Sequence, residues 1–124
     1  MTRPSLRSAA IVVGKFCSRQ AVKRAIANTA TDGEILTLWG NKIAWWEGNT
    51  ICMTIAGHAT MLTVGRLNDL TQRLFNKHLF YREAHEVRYQ PPSALLASRK
   101  SKPESIALLP YQVIRIEIIP IDHE

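Results

Sequence analysis

The sequence predicts an α+β fold: a small antiparallel sheet with two helices packed on one face, forming a single domain over residues 1–124. Three observations carry this expectation. The chain has 124 residues, the length of one domain. Short apolar runs with β-branched or alternating pattern recur between clusters of turn residues, as antiparallel strands require. Two further stretches repeat their apolar residues at helical spacing. Hydrophobic residues make up 46% of the chain and charged residues 21%, proportions that exclude a disordered or collagen-like polypeptide. No stretch reads as a membrane-spanning helix, so no membrane partner is expected.

The elements follow in chain order. Residues 1–8 are polar and read as a frayed terminus. Residues 9–16 hold the β-branched run Ile11-Val12-Val13 and predict a strand. Ser18 is placed to N-cap a helix over 19–29, because its hydroxyl can accept from a free backbone N–H. Ala21, Val22, Ala25 and Ile26 give that helix one apolar face, leaving Lys15, Arg19 and Lys23 towards solvent. Asn28 to Gly33 supplies turn formers. Strands follow over 34–39, 42–46 and 50–56, the last two joined around Glu47-Gly48-Asn49 as a hairpin. Trp45 and Trp46 are adjacent on a strand and point to opposite faces, so at least one faces outward.

Thr63 is the expected cap of a second helix, whose Leu67, Leu70 and Leu74 form a core-facing stripe. Residues 78–90 read as a hairpin turning near Ala84-His85, with one long strand as the alternative. Pro91-Pro92 stops regular structure, and 91–105 reads as a basic, mobile linker. Residues 106–120 hold the C-terminal strand, where Ile114, Ile116 and Ile118 alternate with Arg115 and Glu117. Its position after a long linker suggests return to the main sheet. Pairing with a second copy, as a homodimer, is the alternative.

Charge is distributed unevenly. The chain carries 16 Lys+Arg against 10 Asp+Glu, a net +6. Arg3, Arg7, Lys15, Arg19, Lys23 and Arg24 all precede the first acidic residue, Asp32, and the remainder is neutral. Such a patch favours nucleic acid or an acidic protein surface, although it also serves solubility alone. An aromatic beside such charge anchors a protein interface or stacks on a base. The candidate binding residues are therefore Arg7, Lys15, Arg19, Lys23 and Arg24, with Trp45 and Trp46, and the aromatic–basic cluster Tyr81, Arg82 and Arg88.

Signals of catalysis are sparse. Asp32, Asp69 and Asp122 are the only aspartates, and they do not form the clustered pair that two-metal chemistry needs. Neither a phosphate-cradling glycine loop nor a G-x-S-x-G elbow occurs. His58, His78, His85 and His123 have no metal-ligand spacing with Cys17 or Cys52. Cys17 sits among basic residues, which can activate a thiol, but no histidine lies near it in sequence. No enzyme activity, cofactor or metal is expected. Two cysteines make no disulfide framework and suit a reducing cytoplasm.

The stretch Glu34-Ile-Leu-Thr-Leu-Trp-Gly-Asn-Lys-Ile-Ala-Trp-Trp-Glu-Gly-Asn-Thr50, then Ile51 to Gly57, Thr60 to Thr63 and Arg66-Leu67-Asn68, resembles a group of small uncharacterised bacteriophage and prophage proteins. Asn41, Ile43, Ala44, Gly48, Thr63 and Asn68 occupy the shared places. The stretch Phe80 to Tyr89 is similar to that group's closing hairpin, so the resemblance spans about residues 34–89. It implies a phage or mobile-element origin. Small phage proteins without an active site commonly act by binding. The expected function is then a non-enzymatic accessory protein in the cytoplasm of a bacterial host. It would bind a host protein or protein–nucleic-acid complex and inhibit a nucleic-acid-handling defence machine, as an anti-CRISPR-type protein does. A direct DNA- or RNA-binding module is the alternative.

Overall fold

The computed structural model describes residues 5–91 and 105–118. It has two helices and an antiparallel sheet of five strands, with a second sheet of three. The elements are α1 (Ser5–Cys17), β1 (Thr29–Thr31), β2 (Ile35–Leu38), β3 (Asn41–Glu47), β4 (Thr50–Met53), α2 (Met61–Phe75), β5 (Phe80–Glu83), β6 (Glu86–Tyr89), β7 (Ile106–Ala107) and β8 (Ile114–Glu117). The larger sheet runs β1-β2-β3-β4-β8 and the smaller β5-β6-β7. The α+β class is as the sequence predicts, but the strand expected over 106–120 is split: Ile106–Ala107 pairs with β6 in the smaller sheet, and only Ile114–Glu117 returns to the main sheet. The 91–105 linker and the ends of the chain lie largely outside the described residues.

The first quarter differs from the expectation. Residues 9–16 are helical, not a strand. Ala9, Val12, Val13 and Phe16 are buried while Ile11 is exposed, the i, i+3, i+4, i+7 stripe of an amphipathic helix. That periodicity outweighs the local β preference of Ile11-Val12-Val13. The helix begins at Ser5, within the stretch 1–8 expected to be frayed; residues 1–4 lie outside the described residues. Ser18 stands at the end of this helix instead of capping the next one. Arg19 is left-handed (φ 59); its N–H donates to Phe16 O at 3.0 Å and the Gln20 N–H donates to Lys15 O at 2.8 Å. This is a Schellman stop with arginine where glycine is usual.

The expected helix over 19–29 is absent. The chain from Ala21 to Ile26 instead runs irregularly along β1. Val22 N–H donates to Thr31 O, and Ile26 and Thr29 exchange both main-chain hydrogen bonds. Ala27 and Asn28, both with positive φ, form the tight turn between them. Ala21 and Ala25 are exposed, whereas Val22 and Ile26 pack half-buried against the core, so the four apolar residues do not share one face. Thr29 to Thr31, read as turn formers, form β1.

The core lies between the main sheet and the helices. Leu36, Ala44, Met53 and Ile114 align across four strands, and Trp46, Ile51 and Ile116 form the next row. Val12, Val13 and Phe16 of α1 and Val64, Leu67 and Leu70 of α2 pack on these rows. The β2–β3 register shifts after Leu36, leaving Ile43 opposite no β2 residue. Ile43 and Ala44 are consequently both buried, the signature of a bulge.

Side chains tie the layers together. Trp46 Nε1 donates to Phe16 O at 3.0 Å, and the two rings stack at 5.7 Å. Arg19 lies 4.1 Å above the Trp46 ring and donates to Gly48 O at 2.6 Å. Arg73 of α2 donates to Ala10 O of α1 at 3.1 Å. Gly14 gives it room, since a Cβ there would sit 3.1 Å from its guanidinium. The buried Arg66 donates from Nε to Thr29 Oγ1 at 2.9 Å; burial lowers its pKa, with Asp69 opposing.

Helix α2 is N-capped by Thr60, not Thr63: the Thr60 hydroxyl accepts from Thr63 N–H at 3.1 Å. Asn68 holds the smaller sheet to this helix. Its amide accepts from Phe80 N–H at 2.9 Å and donates to Phe80 O at 2.8 Å. Asn68→Ala should therefore lower stability by about 2 kcal/mol, roughly one for each lost hydrogen bond. Asn68→Asp should also destabilise at neutral pH, because it sets a carboxylate against the Phe80 carbonyl. Urea midpoints of the two variants at unchanged m-value check both.

Candidate interaction surface

The structure separates the basic and aromatic residues into those used inside the fold and those left facing solvent. Trp46 faces inward and joins α1 to the sheet, with Arg19 lying over it. Arg88 donates to Ser105 Oγ at 2.9 Å, to Ser105 O at 3.2 Å and to Glu86 at 3.1 Å. Tyr81 stands opposite Arg88 in the β5–β6 register, whereas Arg82 stands opposite Val87 on the other face. The turn at Ala84-His85 is as expected, both residues having positive φ. The cluster Tyr81, Arg82 and Arg88 is therefore not one flat platform.

Arg7 falls within α1, and Lys15 lies in its last turn, where a cation complements the helix dipole. Lys15 reaches Gln20 Oε1 at 3.5 Å. Lys23 and Arg24 are exposed and, among the described residues, make no ion pair. They lie on the irregular segment flanking β1. The helix expected to carry them is replaced by a sheet edge, which moves the patch without hiding it.

The sheet face away from the helices carries the rest. Ile35, Trp45, Cys52 and Arg115 align across it. Trp45 is half-buried, its ring beneath Lys42 Nζ at 4.4 Å and its Nε1 donating to Glu47 Oε2 at 2.9 Å. Glu47 also bridges Arg115 at 3.7 Å. The Trp45 hydrogen bond, with Arg115 adding to it, lowers the Glu47 carboxyl pKa. Trp45 faces outward, but both its ends are engaged within the fold. Ala21, Val22, Ala30, Thr31, Asp32, Ile35 and Thr37 line a shallow recess of about 380 Å³.

One residue of this surface was not among the expected ones. Trp39 is 51% exposed and has φ 53 at the tip of the β2–β3 hairpin, followed by Gly40 at φ 79. Both turn positions thus require positive φ, where glycine, asparagine or aspartate is normal. A left-handed tryptophan costs about 1–2 kcal/mol. Its N–H donates to Asn28 O at 2.7 Å, so two tight turns hold each other and fix the indole at the sheet's end. Nothing in the sequence marks the tryptophan as the left-handed member of this turn.

Neither thiol is set up for chemistry. Burial pushes the Cys17 pKa up from 9.0 to about 11, with the Arg73 charge opposing. Burial, then the Glu47 charge, raises Cys52. Among the described residues no three of His, Cys, Asp and Glu come together, and no helix is long and apolar enough to cross a membrane. Compared with protein-family models, with curated proteins and with solved structures, the chain matches none of them.

Two outcomes follow from these pKa values. Native Cys17 and Cys52 should react slowly with a thiol reagent at pH 8, and both at the rate of a free thiol after unfolding. Tyr89 is also raised by burial, from 10.0 to about 12. Between these ordinary values and the raised ones, the unfolded chain ionises and the folded chain does not. The contribution of these three groups should therefore be level below pH 9 and fall as pH rises towards 12. Melting temperature measured across that range checks it.

Proposed function

We propose that this chain is a small non-enzymatic accessory protein of a phage or mobile element. In this reading it binds a host nucleic-acid-handling defence complex and inhibits it, in the manner of an anti-CRISPR-type protein. The observation that carries the binding part is Trp39. A bulky residue held at a costly backbone angle, with its ring in solvent, is poorly explained by folding. Strain of this kind concentrates at working surfaces, and tryptophan is enriched among the anchors of protein interfaces. Lys23 and Arg24 precede the turn whose Asn28 carbonyl accepts from the Trp39 N–H, Lys42 follows Trp39 in β3, and exposed cations of this kind favour an acidic partner. The resemblance of residues 34–89 to phage proteins supports the origin. The working residues are then Trp39, Lys23, Arg24 and Lys42, with Trp45 beneath Lys42.

Direct binding of DNA or RNA is the second reading, favoured by the same exposed cations beside an exposed indole. The two differ in their response to nuclease and salt, because each neutralised phosphate releases counterion.

The test is affinity capture from bacterial lysate, with and without nuclease, read by mass spectrometry. A stoichiometric protein partner that survives nuclease supports the inhibitor. Loss of all partners on nuclease treatment moves the reading to nucleic acid. Lys23→Glu with Arg24→Glu should reduce capture at least tenfold without lowering the melting temperature. Trp39→Asn should stabilise the fold by about 1 kcal/mol, because asparagine tolerates the left-handed region, and should weaken capture. A Trp39→Asn variant that binds as wild type removes the anchor from this account.

A further inference from the structure

The open edge of β8 has a self-complementary pattern. Among the described residues β8 pairs on one side only, with β4. Ile118 N–H donates to Asn49 O at 2.8 Å, one step beyond the Thr50–Glu117 pair. Hydrogen-bonded and non-hydrogen-bonded pairs alternate along an antiparallel ladder. Ile114, Ile116 and Ile118 therefore turn their main-chain groups towards β4. The N–H and C=O groups of Arg115 and Glu117 point the other way, to the free edge.

Side chains along this edge follow the same alternation. Ile114, Ile116 and Ile118 belong to the core side, with Ile116 and Ile118 only half-buried. Arg115 and Glu117 are exposed on the opposite face. Residues 114–118 read Ile-Arg-Ile-Glu-Ile, which is its own antiparallel complement about Ile116.

We propose that β8 pairs with β8 of a second copy, antiparallel about a two-fold axis at Ile116, joining two five-stranded sheets into one. Arg115 then exchanges main-chain hydrogen bonds with Glu117 of the partner subunit, and their side chains attract across the join. Ile116 meets its own copy, and Ile118 meets Ile114 of the partner subunit, so the half-buried isoleucines complete a shared core. The register is fixed by charge. Moving the axis one residue either way sets Arg115 against Arg115 of the partner subunit, or Glu117 against Glu117 of the partner subunit. Like charges directly opposite are unfavourable. Sheet edges that avoid pairing carry charges that repel an incoming strand; this edge carries charges that select its own copy.

The test is sedimentation equilibrium of the full chain from micromolar to sub-millimolar concentration. Wild type should approach twice the chain mass of 14.0 kDa. Arg115→Glu makes both paired charges negative and Glu117→Arg makes both positive, so each variant alone should remain at 14.0 kDa. Mixed in equal amounts the two should recover the dimer, since each supplies the charge that the other lacks. That recovery also shows that neither variant is misfolded. A wild type that stays monomeric throughout overturns the proposal, as does a dimer that all three samples form equally.

Discussion

The anchoring of the first helix depends on the indole of Trp46. A ring on the inner face of β3 would ordinarily only fill space. Here its N–H reaches the last turn of α1 and gives the Phe16 carbonyl a second donor beside the Arg19 N–H that closes the helix end. Phe16 stacks against the ring from within, and Arg19 covers it from the solvent side. Arg19 is able to do so because the helix stops in a left-handed turn at that residue. These contacts join the end of α1 to β3 and set the direction in which the chain leaves for the edge of β1.

That arrangement divides the surface. Trp46 and Arg19 are taken into the fold, and Arg88 is taken up by Ser105 and Glu86. Among the residues left outward are Lys23, Arg24 and the strained Trp39 towards the β1–β2 side of the sheet, Lys42 on β3, and the far edge at β8. The β1–β2 side and the β8 edge lie at opposite ends of the strand order. A dimer joined through β8 would hold two copies of the tryptophan end apart, so both could act at once on a repeated or symmetric partner.

The part of the fold that was legible in the sequence is the part whose signals are local. Gly48 marks the β3–β4 turn, the alternating isoleucines mark β8, and the Leu67, Leu70, Leu74 stripe marks α2. The first quarter was not legible, because its signals compete. Ile11-Val12-Val13 has β-branched side chains, yet shares its stretch with a helical stripe that matters only once Arg73 and Trp46 are brought against it. The end of α1 carries arginine at the position where glycine would have announced a stop. The candidate surface was half legible. Basic charge near the N-terminus could be counted, but the face on which Trp45 or Trp46 lies depends on strand register, and the strain at Trp39 depends on the turn it occupies.

The most direct measurement is residue-resolved amide hydrogen exchange of Trp46→Phe beside wild type. The substitution removes the indole N–H and keeps an apolar ring. Protection should fall through residues 9–17 of α1 and along 20–26, while α2 and the β5–β6 hairpin keep theirs, because Asn68 holds those two together independently. Unchanged protection in α1, or an equal loss across the whole chain, would contradict the role given to Trp46.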